Sequence, residues 1–241
     1  MPNTFDLGLV AALAIWQVWD HFHDWPKFCR RVAEGRAGAR LRYYRGILLG
    51  EWLFSALVMA AWLRDSRPWG PLGLASPNPI ATLLSLVLCG ALAMLLARQV
   101  RGVAASAAAQ GHVRKLADEA YGAILPRTPA EIRLFMALSI TAGICEEFLF
   151  RGFLMWVIGR YAGVFGAVLI SSALFGLAHS YQGFKGIVRS GVLGAVMAGV
   201  YLATRSLYPG MALHALIDIG SGLTIYAALR EDRVTTPAPT A

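Results

Sequence analysis

Charge is scarce in this sequence. Of its 241 residues, 15% are Asp, Glu, Lys or Arg and 57% are hydrophobic, whereas a soluble domain carries about 25% charged residues. With a mean hydropathy of +0.55, that shortage excludes an ordinary water-soluble domain and points to lipid as the solvent. Cysteine is scarcer still. Cys29, Cys89 and Cys145 are odd in number, far apart and in no C-x-x-C spacing, so neither a disulfide framework nor a structural zinc site is indicated; they read as small apolar side chains. No H-E-x-x-H occurs, which removes the usual zincin signature. A signal peptide's basic stretch is missing too: the apolar run from Leu7 to Trp19 follows Asp6 and has no small-residue cleavage site close behind it, so it is expected to stay as a first helix. No internal repeat is evident, which disfavours the inverted-repeat build of many transporters.

At roughly 20 residues per spanning helix, the chain has room for an all-α, polytopic membrane helical bundle of about seven to eight transmembrane helices. After the first, helices are expected over 46–63, 80–97, 129–158, 163–179, 187–203 and 209–229. The net charge of +8 suits loops better than a nucleic-acid surface. Lys27, Arg30, Arg31, Arg36, Arg40, Arg42 and Arg45 fill one loop, and Arg98, Arg101, Arg114 and Lys115 another, which places both on the cytoplasmic side and the N-terminus outside. A Pro/Gly-rich turn (Pro68, Gly70, Pro71, Gly73, Pro77, Pro79) precedes the third helix, and a surface-lying helix is expected over 112–125. Thr128, Pro129 and Glu131 have the spacing of a capping box with proline at the first helical position. Gly191, Ala195 and Gly199 form a small-residue stripe suited to helix packing. The chain divides into N-terminal helices and basic loops (1–125), a C-terminal helical core (126–229), and a tail (230–241) with Arg230, Glu231, Asp232 and Arg233 that is expected to be cytoplasmic and disordered.

Ionisable residues inside apolar helices are costly and usually mark function. Glu146, Glu147 and Arg151 are flanked on both sides by apolar helix. Glu147 and Arg151 stand at i and i+4, with the acid on the N-terminal side, the favourable order for an ion pair; Glu146, about 100° round the helix, is left to face a cavity. There its carboxyl can serve as a general base or acid. His179 ends the next helix, and His214 and Asp218 share a face of the last one. A glutamate, two histidines and an aspartate from three helices can activate water and stabilise a tetrahedral oxyanion. Each has a plainer reading. Glu147 with Arg151 can be a structural ion pair, His179 an interfacial residue, and His214 with Asp218 a packing hydrogen bond.

In order, Glu146-Glu147-Phe148-Leu149-Phe150-Arg151, Phe175-Gly176-Leu177-Ala178-His179 and His214-Ala215-Leu216-Ile217-Asp218 read E-E-x-x-x-R, F-x-x-x-H and H-x-x-x-N/D. Over about residues 126 to 222 this resembles the CAAX protease and bacteriocin-processing family, also called the Abi family, of glutamic-type intramembrane endopeptidases related to the Ras-converting enzyme and often classed as metalloproteases. The resemblance implies that Glu146 with His179 activates the attacking water, that His214 and residue 218 stabilise the oxyanion, and that Glu147, Arg151 and Phe175 shape the site. Many members carry Asn at the last position. Asp218 donates a hydrogen bond only if protonated, or else accepts one from His214 and orients it.

The expected cofactor is none, with zinc as the alternative, since Glu146, Glu147, His179, His214 and Asp218 are all acceptable ligands. The expected partners are the bilayer and a peptide or protein substrate at the membrane, such as a prenylated or leader peptide, with no nucleic acid; the expected location is a bacterial inner membrane. A proton-coupled transporter and a non-catalytic scaffold or immunity protein are the competing functions. Depth counting leaves one conflict. At about 1.5 Å per residue, Glu146 and His214 agree in depth while His179 comes out too deep, so a helix boundary is shifted or a segment bends or re-enters.

Overall fold

Long apolar runs without proline, punctuated by capping residues, make almost every segment helical. The computed structural model describes residues 1–75 and 78–229, with the backbone alone at 117–121; Pro77 and the expected tail 230–241 lie outside the described residues. The order is α1 (Thr4–Trp19), a π-helical turn (Asp20–Asp24), α2 (Trp25–Ala33), α3 (Ala39–Arg64), α4 (Pro79–Ala104), α5 (Ala107–Tyr121), α6 (Pro129–Glu146), a π-helix (Glu147–Leu154), α7 (Met155–Ala178), α8 (Gly183–Thr204) and α9 (Tyr208–Leu229). No strand occurs among the described residues. Five helical stretches are long and apolar enough to cross a membrane: Ala39–Arg64, Pro79–Ala104, Pro129–Ala178, Ser180–Thr204 and Tyr208–Leu229. The chain is thus a multi-pass membrane protein. Its outer face fits that solvent, because Leu83, Leu84 and Leu86 of α4 are each more than 60% exposed.

The first expected crossing is the one that differs most. At 16 residues α1 falls short of a full span and runs on through the π-turn into α2, so the arginine-rich loop is largely helical. α1 is tied instead to the turn after α3. Asn3 caps it, forming a reciprocal box with Asp6, and the fully buried Asp6 takes two hydrogen bonds of 2.8 Å from Arg67. Arg67 also pairs with Asp65, whose carboxyl is held below its ordinary range, first by a hydrogen bond from Arg64.

Three pairings set the depth of everything else. α3 runs parallel to α6 and to the start of α7 that continues it: Tyr44 meets Phe135, Trp52 donates to Thr141 at 3.2 Å, and Trp62 meets Trp156 of α7. α9 runs antiparallel to α6, with Gly143 against Met211 and Ala215 and Gly222 against Phe135. A Cβ on Gly143 would lie 2.7 Å from the Met211 carbonyl, so only glycine permits this approach. α8 runs antiparallel to the second half of α7, with Gly176 against Ile187 and Gly194 against Ser172. The expected packing stripe shifts accordingly. Gly191 does face Ser172 and Gly176, but Gly199 has nothing within 4 Å and Ala195 is exposed; Gly194 and the buried Ala198 take their place, because the helix turns that face inward.

The stretch 129–178 is a hairpin rather than one rod. Gly163 adopts φ 69° and ψ −179°, a conformation that side chains other than hydrogen rarely allow. Beyond it the chain doubles back: Ser171 donates to the Phe150 carbonyl at 3.1 Å, and Phe150 and Phe175 make an edge contact at 5.2 Å. This resolves the depth conflict. Glu146 and His179 stand at nearly equal distances before and after Gly163, roughly 25 Å along the helix at 1.5 Å per residue, and so lie at one level.

Candidate active site

The expected capping box fixes where α6 starts. Thr128 accepts from the Glu131 N–H at 3.2 Å, and Glu131 accepts from the N–H groups of Thr128 and Arg127 at 2.9 and 2.8 Å. From that start the helix runs regularly to Glu146 and then widens into a π-helix over the next eight residues, all of them buried. Such widened turns are rare and gather at functional sites. Here the widening begins at the second carboxylate of the Glu146-Glu147 pair.

Glu147 is the hub. Its side chain is 1% exposed, as is that of Arg151, and its Oε1 lies 2.9 Å from Arg151 Nη1 and 3.0 Å from His214 Nδ1. Arg151 also donates to the Gly194 carbonyl at 3.2 Å and lies 4.2 Å above the Phe175 ring, a cation–π contact in a water-poor setting. Two glycines admit these groups: a Cβ on Gly194 would sit 3.2 Å from Arg151 Nη2, and one on Gly210 3.1 Å from Glu147 Oε2. Phe175 joins the parts, touching the rings of His179 at 4.7 Å and of His214 at 5.8 Å.

With its Nδ1 bonded to Glu147, His214 points Nε2 between the two remaining acids, 3.8 Å from Glu146 Oε2 and 3.7 Å from Asp218 Oδ2. Neither distance is a direct hydrogen bond. The spacing admits a bridging oxygen. The acceptor that orients His214 is therefore Glu147, on the neighbouring helix, and not Asp218 one turn along its own. His179 Nδ1 lies 2.8 Å from the Phe175 carbonyl. A carbonyl only accepts, so Nδ1 carries a proton, and in the neutral imidazole that leaves the lone pair on Nε2. Asp218 lies within electrostatic reach of His214, Glu146 and His179.

Sequence reasoning missed a participant. Glu51, 5% exposed in the middle of α3, has its carboxyl beside that of Glu146 and within reach of Asp218. The signal was present, since Glu51 is the single charged residue in the apolar run 46–63; without the fold, nothing linked it to motifs about a hundred residues away. The N-terminal helices also brace the turn after His179: Ser180 and His21 are hydrogen-bonded at 2.8 Å, and Trp25 packs on Tyr181 at 4.9 Å. Among the described residues no three His, Cys, Asp or Glu side chains are grouped to hold a metal ion.

The fold and site define an all-helical, multi-pass membrane protein with carboxylates and imidazoles gathered inside its bundle. Residues 128–220 match the family model described as type II CAAX prenyl endopeptidase Rce1-like, and this match supports membership of the CAAX protease and bacteriocin-processing family. The matched segment runs from the cap of α6 into α9 and holds Glu146, Glu147, Arg151, Phe175, His179, His214 and Asp218; Glu51 lies outside it. No curated protein and no solved structure matches the chain.

Proposed function

We propose that this protein is an intramembrane endopeptidase that hydrolyses a peptide bond with a glutamate-activated water. The observation that carries the reading is His214, locked through Nδ1 by Glu147 at 3.0 Å and presenting Nε2 between Glu146 and Asp218. In this mechanism the Glu146 carboxylate takes a proton from water while the lone pair on His179 Nε2 accepts the water's other hydrogen and orients it. The new C–O bond forms at the substrate carbonyl, and its π electrons move onto oxygen. His214, carrying protons on both nitrogens, donates Nε2–H to that oxyanion and keeps Nδ1–H on Glu147. Collapse breaks the C–N bond, and Glu146 passes its proton to the leaving amine. Arg151 and Phe175 hold Glu147 and both imidazoles in register, and a protonated Asp218 is a second oxyanion donor. No metal step is included.

The reading extends to topology and substrate. Counting the arms of the hairpin at Gly163 separately and α1 with its π-helical extension as a short crossing makes seven crossings, and the parallel α3 and α6 both leave the arginine-rich side, which we assign to the cytoplasm of a bacterial inner membrane. The substrate class is a peptide bond in a membrane-held chain, such as a prenylated or leader peptide.

The test compares peptide termini in membranes of host cells carrying wild type or Glu146→Gln, at equal expression and equal thermal stability in detergent. New termini with wild type alone support proteolysis and supply candidate substrates. Identical termini across growth conditions overturn it in favour of a scaffold or a transporter.

A further inference from the structure

Glu51 is an acid in acid company. The groups that act on its carboxyl electrostatically are Glu146 and Asp218, and one oxygen each of Glu51 and Glu146 is buried without a hydrogen-bond partner. Arg151, whose guanidinium is within electrostatic reach of Glu146, is held against Glu147, the Gly194 carbonyl and the Phe175 ring. Carboxylates crowded together away from water cannot all be ionised, and such pairs settle by sharing a proton. α3 holds Glu51 firmly in that company: Trp52, the next residue, donates to Thr141 of α6, and Gly50, the residue before Glu51, packs against the Trp16 ring of α1.

We propose that Glu51 is a neutral carboxylic acid that donates a hydrogen bond to the Glu146 carboxylate, a positioning residue supplied to the site by the N-terminal helices. The bond satisfies an otherwise orphaned oxygen and aims the other lone pairs of Glu146 toward His214 and His179. It also assigns a function to part of the chain outside the family match. The kinetic side of this proposal rests on the endopeptidase reading; the protonation side does not.

The experiment uses the full-length protein in detergent and two variants, Glu51→Gln, which keeps an N–H donor in place, and Glu51→Leu, which keeps bulk without a donor. Infrared spectra at neutral pH, in water and in deuterium oxide, should contain a protonated-carboxyl stretch in wild type that Glu51→Gln lacks. Cleavage of a peptide identified from the termini comparison should fall about tenfold to hundredfold in Glu51→Leu, the worth of a hydrogen bond to a charged group, and Glu51→Gln should recover most of that loss. Identical carboxyl bands in wild type and Glu51→Gln overturn the proposal, as does wild-type cleavage by Glu51→Leu. If Glu51→Leu does not fold, the infrared comparison with Glu51→Gln decides. If wild type cleaves nothing, the endopeptidase reading falls, and the infrared comparison still decides the proton on Glu51.

Discussion

Glu147 and His214 are 67 residues apart in sequence and 3.0 Å apart in space. Their hydrogen bond joins a structural ion pair to a chemical group. The oxygen that takes the imidazole Nδ1–H also faces Arg151, so the same carboxylate neutralises a buried guanidinium and orients a candidate electrophile.

The two duties can be separated. Glu147→Leu alone strands Arg151 without its counter-charge and should cost about 3–5 kcal/mol of stability. Replacing both partners, Glu147→Leu with Arg151→Met, should restore most of the thermal stability in detergent, because an apolar pair of similar volume is often neutral where half an ion pair is not. Turnover should stay low in the double variant, since His214 has still lost its orienting acceptor. Full activity at restored stability would reduce Glu147 to a structural residue.

Glycine contacts offer a contrast within one bundle. A Cβ on Gly143 meets the Met211 carbonyl and Ala215 at under 3 Å, whereas Gly199 has nothing within 4 Å. Gly143→Val should push α9 off α6, lower the melting temperature and misplace His214, with cleavage falling about a hundredfold for a shift near 1 Å. Gly199→Ala should leave cleavage untouched and stabilise the helix by up to about 1 kcal/mol. Parallel melting curves and rates for the two variants check the orientation of both helices at once.

Metal removal separates the glutamate mechanism from the zinc alternative. Cleavage by protein dialysed against a strong chelator should continue at the untreated rate, and added zinc should not raise it. A loss on chelation that zinc restores would make Glu146, His179 and their neighbours ligands first.

Several features were legible because they depend on neighbours along the chain. The capping box at Thr128 and Glu131, the break at Gly163 and the pairing of Glu147 with Arg151 are local, and periodicity or caps reveal them. The helical character of the arginine-rich loop and the widened turn at Glu147 were not legible, since each depends on what the segment packs against. The same limit explains the stripe on α8: small residues marked the helix as close-packing, but Gly194 and Ala198 rather than Ala195 and Gly199 face inward, a choice made by the partner helix.

The sequence by itself determined that this protein is helical and meant for lipid, and which few ionisable side chains break the apolar pattern, because composition and short-range spacing carry that information. Only the tertiary structure decided which of those groups meet: that Glu147 rather than Asp218 orients His214, that His179 returns to the depth of Glu146, and that Glu51 joins them. Those contacts span from about 35 to about 170 residues of chain, and the helix approaches that close them are set by glycines whose significance appears only when another helix lies against them.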